Sequence, residues 1–524
     1  MGGATQDDNA VTWFLDRHLA EGRGGATAFT DPARSLSYAQ LAEASAHFAG
    51  GLVAAGIGRE RRMLMLMLDT VDFPVAFWGA IRAGVVPVPV NTLLTTEQVA
   101  YMLADSRAEV LAVSAPLLPG VLPALAGLGA AGPRLVLLAA LDGAPLRDLP
   151  PGARDFAGFV AGAAPMPGAV HASPDEVAFW LYSSGSTGAP KGAKHVHASL
   201  RATADTYAAQ VLGIRPDDVM FSAAKLFFAY GLGNALTFPM AAGAQAVLLP
   251  DRPTPDAVLA VMRQHRPTLF GGVPTLYAGL LAHPALGRGA GSERLRLCIS
   301  AGEPLPEHIG TRWDATVGTP ILDGIGSTEM LHIFLSNRPG AIAYGTTGTA
   351  VPGYELRIVD ENDRDVPEGE IGELLVRGPS AAEGYWNQRE KSRRTFQGEW
   401  TRTGDKYVRE ASGTYRYQGR ADDMFKVGGI WVSPFEVEAA LAGHPAVQEA
   451  AVIGREDADG LLKPMAFVVL KPGAAAPEEA ALREHVKAQA GAWKYPRWIS
   501  VVEDLPKTAT GKIQRFKLRA GFGA

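Results

Sequence analysis

A glycine- and hydroxyl-rich segment that ends in a lysine is the first candidate for chemistry. It reads YSSGSTGAPKG from Tyr182 to Gly192 and follows the apolar run DEVAFWL, so it lies where a strand ends and a loop begins. Its glycines let backbone N–H groups approach an anion. Pro190 precedes Lys191 and Gly192 follows it, so the second glycine and the magnesium-binding hydroxyl of a Walker loop are missing. The segment predicts either another kind of phosphate site or a flexible surface loop.

Four later segments also carry hydroxyl or charged side chains beside glycines. They are DGIGSTEM (323–330), TRTGD ending at Asp405, GRADDMFKVGG with Arg420 and Lys426, and PKTATGKIQR with Lys507 and Lys512. Taken singly, each has an ordinary structural explanation. A carboxylate can cap a helix, an aspartate after a glycine can form a turn and pair with an arginine, and most lysines are solvated. Their order along one chain makes them informative.

Composition excludes several classes of protein. A chain of 524 residues is too long for one compact core, so two or more domains are expected. The hydrophobic share of 47% is ordinary for a globular protein. The net charge of -5 gives no reason to expect nucleic acid or an anionic membrane as a partner. A single cysteine, Cys298, excludes an intrachain disulfide and fits a reducing cytoplasm.

Neither the start of the chain nor the charge-free run 110–133 has the pattern of a targeting or membrane segment. The N-terminal sequence has no basic region followed by an apolar core, and it does not fit the myristoylation pattern. The charge-free run 110–133 is interrupted by Pro116, Pro119 and Pro123. We therefore expect a strand EVLAVS, a loop, and a strand RLVLLAA there, and no membrane span.

Hydrophobic patterning predicts an α/β fold with two parts. Short apolar runs alternate with helical patterns through most of the chain, which favours largely parallel sheets. From Gly345 the runs TGTAVPGYELRIVD and GEIGELLVRG alternate like antiparallel strands, and after Arg420 a small α+β unit begins. The polar segment 419–423 is the expected boundary. We thus predict a large N-terminal domain, 1–421, and a small mobile C-terminal domain, 422–524.

In this order the five segments resemble the signature motifs of the adenylate-forming superfamily, which includes acyl-CoA synthetases, nonribosomal peptide adenylation domains and firefly luciferase. The resemblance extends from the glycine-rich segment to the last lysine motif. Within the superfamily, AKLFFAYGLGNALTFPM from Ala224, GSTEMLHIFLSN and DDMFKV look like benzoate-CoA ligase and its aryl relatives. The resemblance implies that a carboxylate attacks the α-phosphate of ATP, and that a thiol then displaces AMP from the acyl adenylate.

The resemblance assigns roles in the first step. Thr187 and Lys191 would hold the β- and γ-phosphates, Thr328 would contact the α-phosphate, and Glu329 would be the Mg²⁺ ligand. Lys512 would bridge the carboxylate and the transferred phosphoryl group. Asp405 would accept hydrogen bonds from both ribose hydroxyls, with Arg420 as a second ribose contact. The full set expected to bind ATP or AMP is Ser183, Ser184, Gly185, Ser186, Thr187, Gly188, Lys191, Ser300, Ala301, Gly302, Glu303, Pro304, Asp323, Gly324, Ile325, Gly326, Asp405 and Arg420.

Within that set, SAGEPL (300–305) matches the adenine-pocket segment of the family. Many relatives carry an aromatic residue where this chain has Ile325, so adenine would rest on an aliphatic surface. The resemblance makes Asp422 the hinge about which the small domain turns between the two steps; the alternative is an ordinary loop aspartate. The segment Lys426, Gly428 and Gly429, with Phe228, would then line the CoA tunnel.

The resemblance also places an acid pocket. Phe228 stands where relatives often have a gating histidine, and Ala229 stands where dihydroxybenzoate-activating relatives have an asparagine. The segment FGGVPTL (270–276) departs from the benzoate-ligase pattern at several positions. His332 either contacts the acid or packs beneath a helix expected after GSTE. The predicted pocket is small, flat and mainly apolar; its residues are Phe228, Ala229, Tyr230, Gly324, Gly326, Leu331, His332 and Ile333.

The sequence therefore predicts an ATP- and Mg²⁺-dependent, AMP-forming ligase that joins CoA to benzoate, 2-aminobenzoate (anthranilate) or a hydroxybenzoate. Two alternatives stay open. One is an adenylation enzyme that loads the phosphopantetheine of a carrier protein, and the other is a nucleotide-binding regulator that has lost catalysis. The presence of both Glu329 and Lys512 argues against the regulator. The sequence leaves open whether the chain forms a homodimer.

Overall fold

The structure is a computed structural model. It describes residues 8–183, 190–289, 292–421, 423–427, 430–458, 460–491, 494–507 and 513–521. Among these residues, no helix is long and apolar enough to cross a membrane.

The first part of the chain forms a five-stranded parallel sheet in the order β4-β3-β5-β6-β7. Its central strands are buried on both faces, which explains their continuous apolar sequences. Its strands are β3 (Arg62–Leu66), β4 (Val86–Pro89), β5 (Val110–Ser114), β6 (Leu135–Ala139) and β7 (Ala153–Asp155). The same part of the chain also contains β1 (Thr27–Thr30) and β2 (Ser35–Ser37), which join a second sheet, and β8 (Val177–Ser183), which forms a hairpin. The helices are α1 (Arg17–Ala20), α2 (Tyr38–Ala54), α3 (Asp72–Arg82), α4 (Thr96–Ser106), α5 (Leu118–Leu128) and α6 (Phe156–Gly162).

The expected loop between β5 and β6 was wrong, because α5 lies there. Pro119 occupies the first turn of this helix, where an N–H has no intrahelical partner in any case. Pro123 lies inside the helix and removes one hydrogen bond. Val121 and Ala124 are buried and pack in a cluster with residues of β3, β4 and α4. This packing outweighs the local penalty of the proline.

The second part adds a nine-stranded sheet in the order β16-β15-β14-β13-β12-β10-β11-β1-β2, parallel from β14 to β1 and antiparallel at both ends. Besides β1 and β2, its strands are β10 (Val219–Ser222), β11 (Gln245–Val247), β12 (Leu269–Gly272), β13 (Leu297–Ser300), β14 (Ile321–Gly326), β15 (Ile333–Ser336) and β16 (Thr349–Ala350). Strand β9 (Lys191–Val196) lies outside this sheet and pairs with β8. The helices are α7 (His197–Thr203), α8 (Ala229–Leu232), α9 (Phe238–Ala242), α10 (Pro255–His265), α11 (Pro274–Ala282) and α12 (Glu307–Val317).

An antiparallel sheet follows, in the order β17-β18-β21-β20, with β22 paired to β21. The expected change from parallel to antiparallel strands is confirmed. The elements are β17 (Glu355–Val359), β18 (Gly372–Arg377), β19 (Gly384–Tyr385), α13 (Arg389–Thr395), β20 (Phe396–Gln397), β21 (Trp400–Arg409) and β22 (Tyr415–Arg420). Strand β19 leaves this sheet and pairs instead with β9 of the β8–β9 hairpin. This pairing joins the sequence around residue 385 to the strand that begins at Lys191.

The last part is a small α+β unit with its own apolar clusters. Strands β25, β26 and β27 form one sheet and β23 pairs with β24. The elements are β23 (Phe425–Val427), β24 (Ile430–Val432), α14 (Pro434–Ala442), β25 (Val447–Glu456), β26 (Leu462–Leu470), α15 (Glu479–Ala490), β27 (Trp498–Val501) and α16 (Arg515–Ala520). The predicted fold class, with parallel α/β sheets, an antiparallel sheet and a C-terminal α+β unit, is confirmed.

Candidate functional site

The glycine-rich segment connects two strands of a hairpin. Strands β8 and β9 are antiparallel, with Ser183 opposite Lys191. The predicted strand before the segment is therefore present, and Lys191 begins the strand after it. The predicted phosphate contacts Ser184, Gly185, Ser186, Thr187 and Gly188 lie outside the described residues. Lys191 donates a hydrogen bond through Nζ to the Tyr385 hydroxyl at 3.3 Å.

Thr328 and Glu329 lie in a turn between β14 and β15 that is held from two sides. The Thr328 carbonyl accepts a hydrogen bond from Nε2 of His195 at 2.8 Å, and the Glu329 carbonyl accepts one from the Ala382 N–H at 2.8 Å. Burial lowers the pKa of His195 to about 4, so its ring is neutral at pH 7 and carries its proton on Nε2. The helix expected after GSTE was wrong, because residues 327–332 form turns and bends.

Tyr385 contacts both ionic groups of the site, and no sequence motif predicted it. Its hydroxyl donates a hydrogen bond to Oε1 of Glu329 at 2.7 Å and accepts the bond from Lys191. Burial and the charge of Glu329 raise the pKa of this phenol, so it stays protonated. Pairing of Tyr385 with Ala193 in β19 and β9 brings it here from far along the chain. No local motif marks such a contact.

The proposed ribose contacts face each other across two strands. Asp405 on β21 is paired in register with Arg420 on β22. Arg420 Nη1 donates to Asp405 Oδ1 at 3.1 Å and to the Thr403 carbonyl at 3.0 Å. The Asp405 side chain is buried while that of Arg420 is about half exposed. Asp405 is thus a strand residue with an arginine partner, and this pairing is expected both for a ribose contact and for the structural alternative of an aspartate paired with an arginine.

The predicted adenine segment and the start of the GSTE motif lie side by side. Ser300 at the end of β13 pairs in parallel with Asp323 on β14, so residues 300–304 and 323–326 meet at the carboxyl end of the sheet. This edge is where open α/β sheets bind ligands. Asp323 is buried and its Oδ2 accepts a hydrogen bond from the Leu305 N–H at 3.4 Å. Burial raises the pKa of this carboxyl to about 8, although the hydrogen bonds partly oppose the shift.

The predicted acid-pocket residues come together between α8 and β14–β15. A Cβ at Gly324 would lie 2.9 Å from Ile333 Cγ2, and a Cβ at Gly326 would lie 2.5 Å from the His332 carbonyl oxygen. Gly326 therefore permits a close approach of backbone that a Cβ would prevent, whereas a Cβ at Gly324 would require the Ile333 side chain to shift. Tyr230 is fixed because its hydroxyl lies 2.9 Å from the Ile299 carbonyl oxygen and 3.1 Å from that of Gly272. Phe228 and Ala229 immediately precede it and are partly exposed.

His332 is a packed histidine at the edge of this group. Its ring lies 4.4 Å from that of Phe238 and 5.4 Å from that of Tyr207, and Nε2 donates to the Tyr230 carbonyl at 3.2 Å. Burial lowers the pKa of His332 to about 3, so the ring is neutral and Nδ1 is an acceptor. Nδ1 has no hydrogen-bond partner among the described residues. His332 is thus packed, but the helices against its ring are α8, through Tyr230, and α9, through Phe238, and not a helix that follows GSTE.

In the small C-terminal unit the structure describes residues on either side of the predicted hinge and of the predicted catalytic lysine. Lys512, Asp422, Gly428 and Gly429 lie outside the described residues. Arg515 and Arg519 of α16 both bind the Asp423 carboxylate, at 3.3 and 2.6 Å, and Arg515 also binds Glu438 of α14 at 2.7 Å. The backbones of Lys507 and Ile513 pair in an isolated antiparallel β-bridge.

Two further observations concern an ion pair of the small unit and the possible ligands of a metal ion. Lys426 forms an ion pair with Glu361 at 3.4 Å. Among the described residues, no group of three or more histidine, cysteine or acidic side chains is placed to hold a metal ion. The single carboxylate of Glu329 is the candidate metal ligand that the sequence predicted.

Comparison with known families gives two matches. Residues 16–386 match the family of AMP-binding enzymes, and residues 436–512 match the AMP-binding enzyme C-terminal domain. The chain is 53% identical to a 4-hydroxybenzoate–CoA/benzoate–CoA ligase of Rhodopseudomonas palustris, and the alignment covers 98% of this chain and 94% of that protein.

Two solved structures are similar over almost their whole length. A benzoate CoA ligase from Burkholderia xenovorans LB400 is 51% identical with a TM-score of 0.88, covering 98% of this chain and 99% of that one. An anthranilate CoA ligase in complex with anthranoyl-AMP is 41% identical with a TM-score of 0.92, covering 98% and 97%.

Proposed function

The chain belongs to the AMP-binding enzyme family, as an AMP-forming aryl acid–CoA ligase, and we propose that the residues described above carry its two steps. The resemblance that the sequence motifs indicated is confirmed. ATP and CoA are its co-substrates, and its acid is benzoate or a small substituted benzoate. One observation supports the assignments for the first step. The Lys191 ammonium, at the end of the glycine-rich segment, and the Glu329 carboxylate both form a hydrogen bond with the Tyr385 hydroxyl.

In the first step the aryl carboxylate attacks the α-phosphorus of ATP and pyrophosphate leaves with the electrons of the broken P–O bond. Two anions must approach, so positive charge and hydrogen-bond donors matter most. We assign Lys191 to the β- and γ-phosphates, Thr328 to the α-phosphate, and Lys512 to the contact between carboxylate and phosphoryl group. In the second step the CoA thiolate attacks the acyl carbon and AMP leaves.

We assign the Mg²⁺ of this family to Glu329. A single, partly exposed carboxylate beside a lysine and a phosphate loop fits an ion that keeps most of its ligands as phosphate oxygens and water. The ion supplies neutralisation of phosphate charge when it is bound. The backbone of the turn that carries Glu329 is held by His195 and Ala382, and the Glu329 carboxylate accepts a hydrogen bond from Tyr385.

We also propose that the chain is divided at Asp422 into domains 1–421 and 422–524, and that the second turns about this hinge between the steps. Lys426 with Gly428, Gly429 and Phe228 would then form the CoA tunnel. The two separate family matches, which end at residue 386 and begin at residue 436, support this division.

For the nucleotide, we propose that Asp323 accepts a hydrogen bond from the exocyclic amine of adenine, beside the Ser300–Pro304 segment, with Ile325 as an aliphatic surface. Asp405 and Arg420 are assigned to the ribose. An acceptor-only carboxylate suits a vicinal diol, and Asp405 is already held by its arginine.

The Asp323 assignment predicts that ATP binding releases a proton. With a pKa of about 8 the carboxyl is mainly protonated at pH 7, and an amine donor favours the ionised form. The affinity for Mg·ATP should therefore fall as the pH decreases below 8, by up to about tenfold per pH unit. Calorimetric titration in two buffers of different ionisation enthalpy measures the released protons. Asp323→Asn is the control, because it should remove the release; equal proton release by both proteins would contradict the assignment.

The acid pocket predicts a preference for rings with few polar groups. Benzoate should be used well, and 2-aminobenzoate comparably, because its amino group can bond to its own carboxylate. In 2,3-dihydroxybenzoate neither hydroxyl finds an asparagine at position 229, and each unpaired buried polar group costs about 1 to 3 kcal/mol. We therefore expect kcat/KM to fall at least about fivefold for this acid.

The measurement is aroyl-CoA formation from benzoate, 2-aminobenzoate, 4-hydroxybenzoate, 2,3-dihydroxybenzoate and a medium-chain fatty acid. Ala229→Asn is the matched variant, and it should narrow the gap between benzoate and the dihydroxy acid. A preference of the unmodified protein for the dihydroxy acid or the fatty acid would overturn this view of the pocket. Formation of pyrophosphate without any CoA ester would instead favour the carrier-loading alternative.

A further inference from the structure

We infer that Tyr385 is a positioning residue for ATP binding, which holds the Glu329 carboxylate and the Lys191 ammonium in place through one hydroxyl group. The inference rests on the proposed function, since it concerns the residues assigned there to the metal and the phosphates. It adds a residue that no motif marks and gives it a defined task.

The geometry is that of a hydrogen-bonded chain. The hydroxyl donates its one proton to Glu329 Oε1 at 2.7 Å and accepts from Lys191 Nζ at 3.3 Å. The lysine Nζ also lies 4.5 Å from the centre of the tyrosine ring, within the range of a cation–π contact. Tyr385 therefore contacts the lysine through both its oxygen and its ring, and the carboxylate through its oxygen alone.

A neutral group between the two charges has a physical purpose. Without it, an ammonium and a carboxylate this close would be drawn into a direct ion pair, in which each neutralises the other. A paired lysine is less available to phosphate, and a paired carboxylate is a poorer metal ligand. The phenol makes one hydrogen bond to each of these two groups.

The position of Tyr385 is fixed by the surrounding structure. Strand β19 pairs with β9 two residues from Lys191, and the Tyr385 N–H donates to Ser392 Oγ at 2.9 Å. The ring lies 5.4 Å from that of Phe396, and the side chain is 5% exposed. The Ala382 N–H, three residues earlier, holds the Glu329 carbonyl. One short segment thus fixes both the backbone and the carboxylate of the residue assigned to the metal.

The test uses Tyr385→Phe, which keeps the ring and removes the hydroxyl. Tyr38→Phe is the matched control, because its buried hydroxyl makes a hydrogen bond of 2.7 Å to the Ala244 carbonyl in the N-terminal part of the chain. Binding of Mn²⁺ with a non-hydrolysable ATP analogue is measured by the loss of the Mn²⁺ electron paramagnetic resonance signal. Loss of one hydrogen bond to a charged group predicts about tenfold weaker binding to Tyr385→Phe and little change for the control.

Two further measurements separate positioning from general damage. Conversion of supplied benzoyl-AMP and CoA to benzoyl-CoA should proceed at the unmodified rate in Tyr385→Phe. In a Glu329→Gln background, adding Tyr385→Phe should weaken Mn²⁺ binding by less than about threefold, because the two changes act on one contact. Equal loss in both half-reactions, unchanged Mn²⁺ binding, or full additivity would overturn the inference. Failure of the unmodified protein to bind Mn²⁺ with the analogue would overturn the proposed function itself.

Discussion

Replacing Lys512 with alanine should reduce acyl-adenylate formation about 10²- to 10³-fold while the protein still converts supplied benzoyl-AMP and CoA to benzoyl-CoA. The lysine is assigned to the approach of two anions, which occurs only in the first step. A positioned group of this kind commonly contributes about 3 to 4 kcal/mol to transition-state stabilisation. Pyrophosphate release measures the first step, and thioester formation from the supplied adenylate measures the second.

Lys507→Ala is the control for this prediction. Lys507 belongs to the same lysine motif, but it forms an ion pair with Glu449 at 2.6 Å within the small unit. Its loss should leave adenylate formation within a few-fold of the unmodified rate, about 1 kcal/mol or less. If Lys512→Ala slowed both half-reactions equally, the lysine would have a structural role or a role in both steps, and the assignment would be wrong.

Asp422→Pro should separate the two steps in the opposite sense. Proline fixes φ near about -65°, so a backbone that must change φ between two states is held in one of them. We expect benzoyl-AMP to form and stay bound, while thioester formation falls about a hundredfold or more, as expected for a misplaced reaction partner. A single-turnover experiment with radiolabelled benzoate distinguishes retained adenylate from released thioester.

The matched variant is Asp422→Ala, which removes the carboxylate and leaves φ unrestricted. It should retain most of the turnover if backbone rotation is what matters. Unchanged steady-state turnover of Asp422→Pro would show that the hinge lies at another residue. Equal losses in the two variants would assign the effect to the carboxylate.

Much of the fold was predictable because local patterns agreed with it. Helix α4 matches the run TEQVAYMLADS from end to end, and its first turn is stabilised by reciprocal hydrogen bonds between Thr95 and Gln98. Helix α5 was missed because its prolines argued against a helix, and only packing in the adjacent apolar cluster explains it. The helix expected after GSTE was wrong because the chain must turn back at once to pair β14 with β15.

The site was predictable to the extent that its residues lie in motifs. Asp405 and Arg420 were named from separate segments, and the structure pairs them across two strands. Tyr385 and His195 were not named, because each acts on a residue far away in the sequence. Tyr385 reaches Glu329 only through the β19–β9 pairing, and His195 reaches Thr328 only through the packing of β9 against the turn. Contacts of this kind follow from tertiary structure alone.

The pairing of Asp423 with two arginines of α16 has a mechanical consequence. Arg515 and Arg519 come shortly after Lys512 in the chain, and Asp423 comes directly after Asp422. Asp423 and helix α16 are therefore linked through one carboxylate, and Arg515 extends the link to Glu438 of α14. These ion pairs restrict the motion of α16 relative to Asp423. A rotation at the proposed hinge would therefore move Asp423, α14 and α16 together as one rigid group.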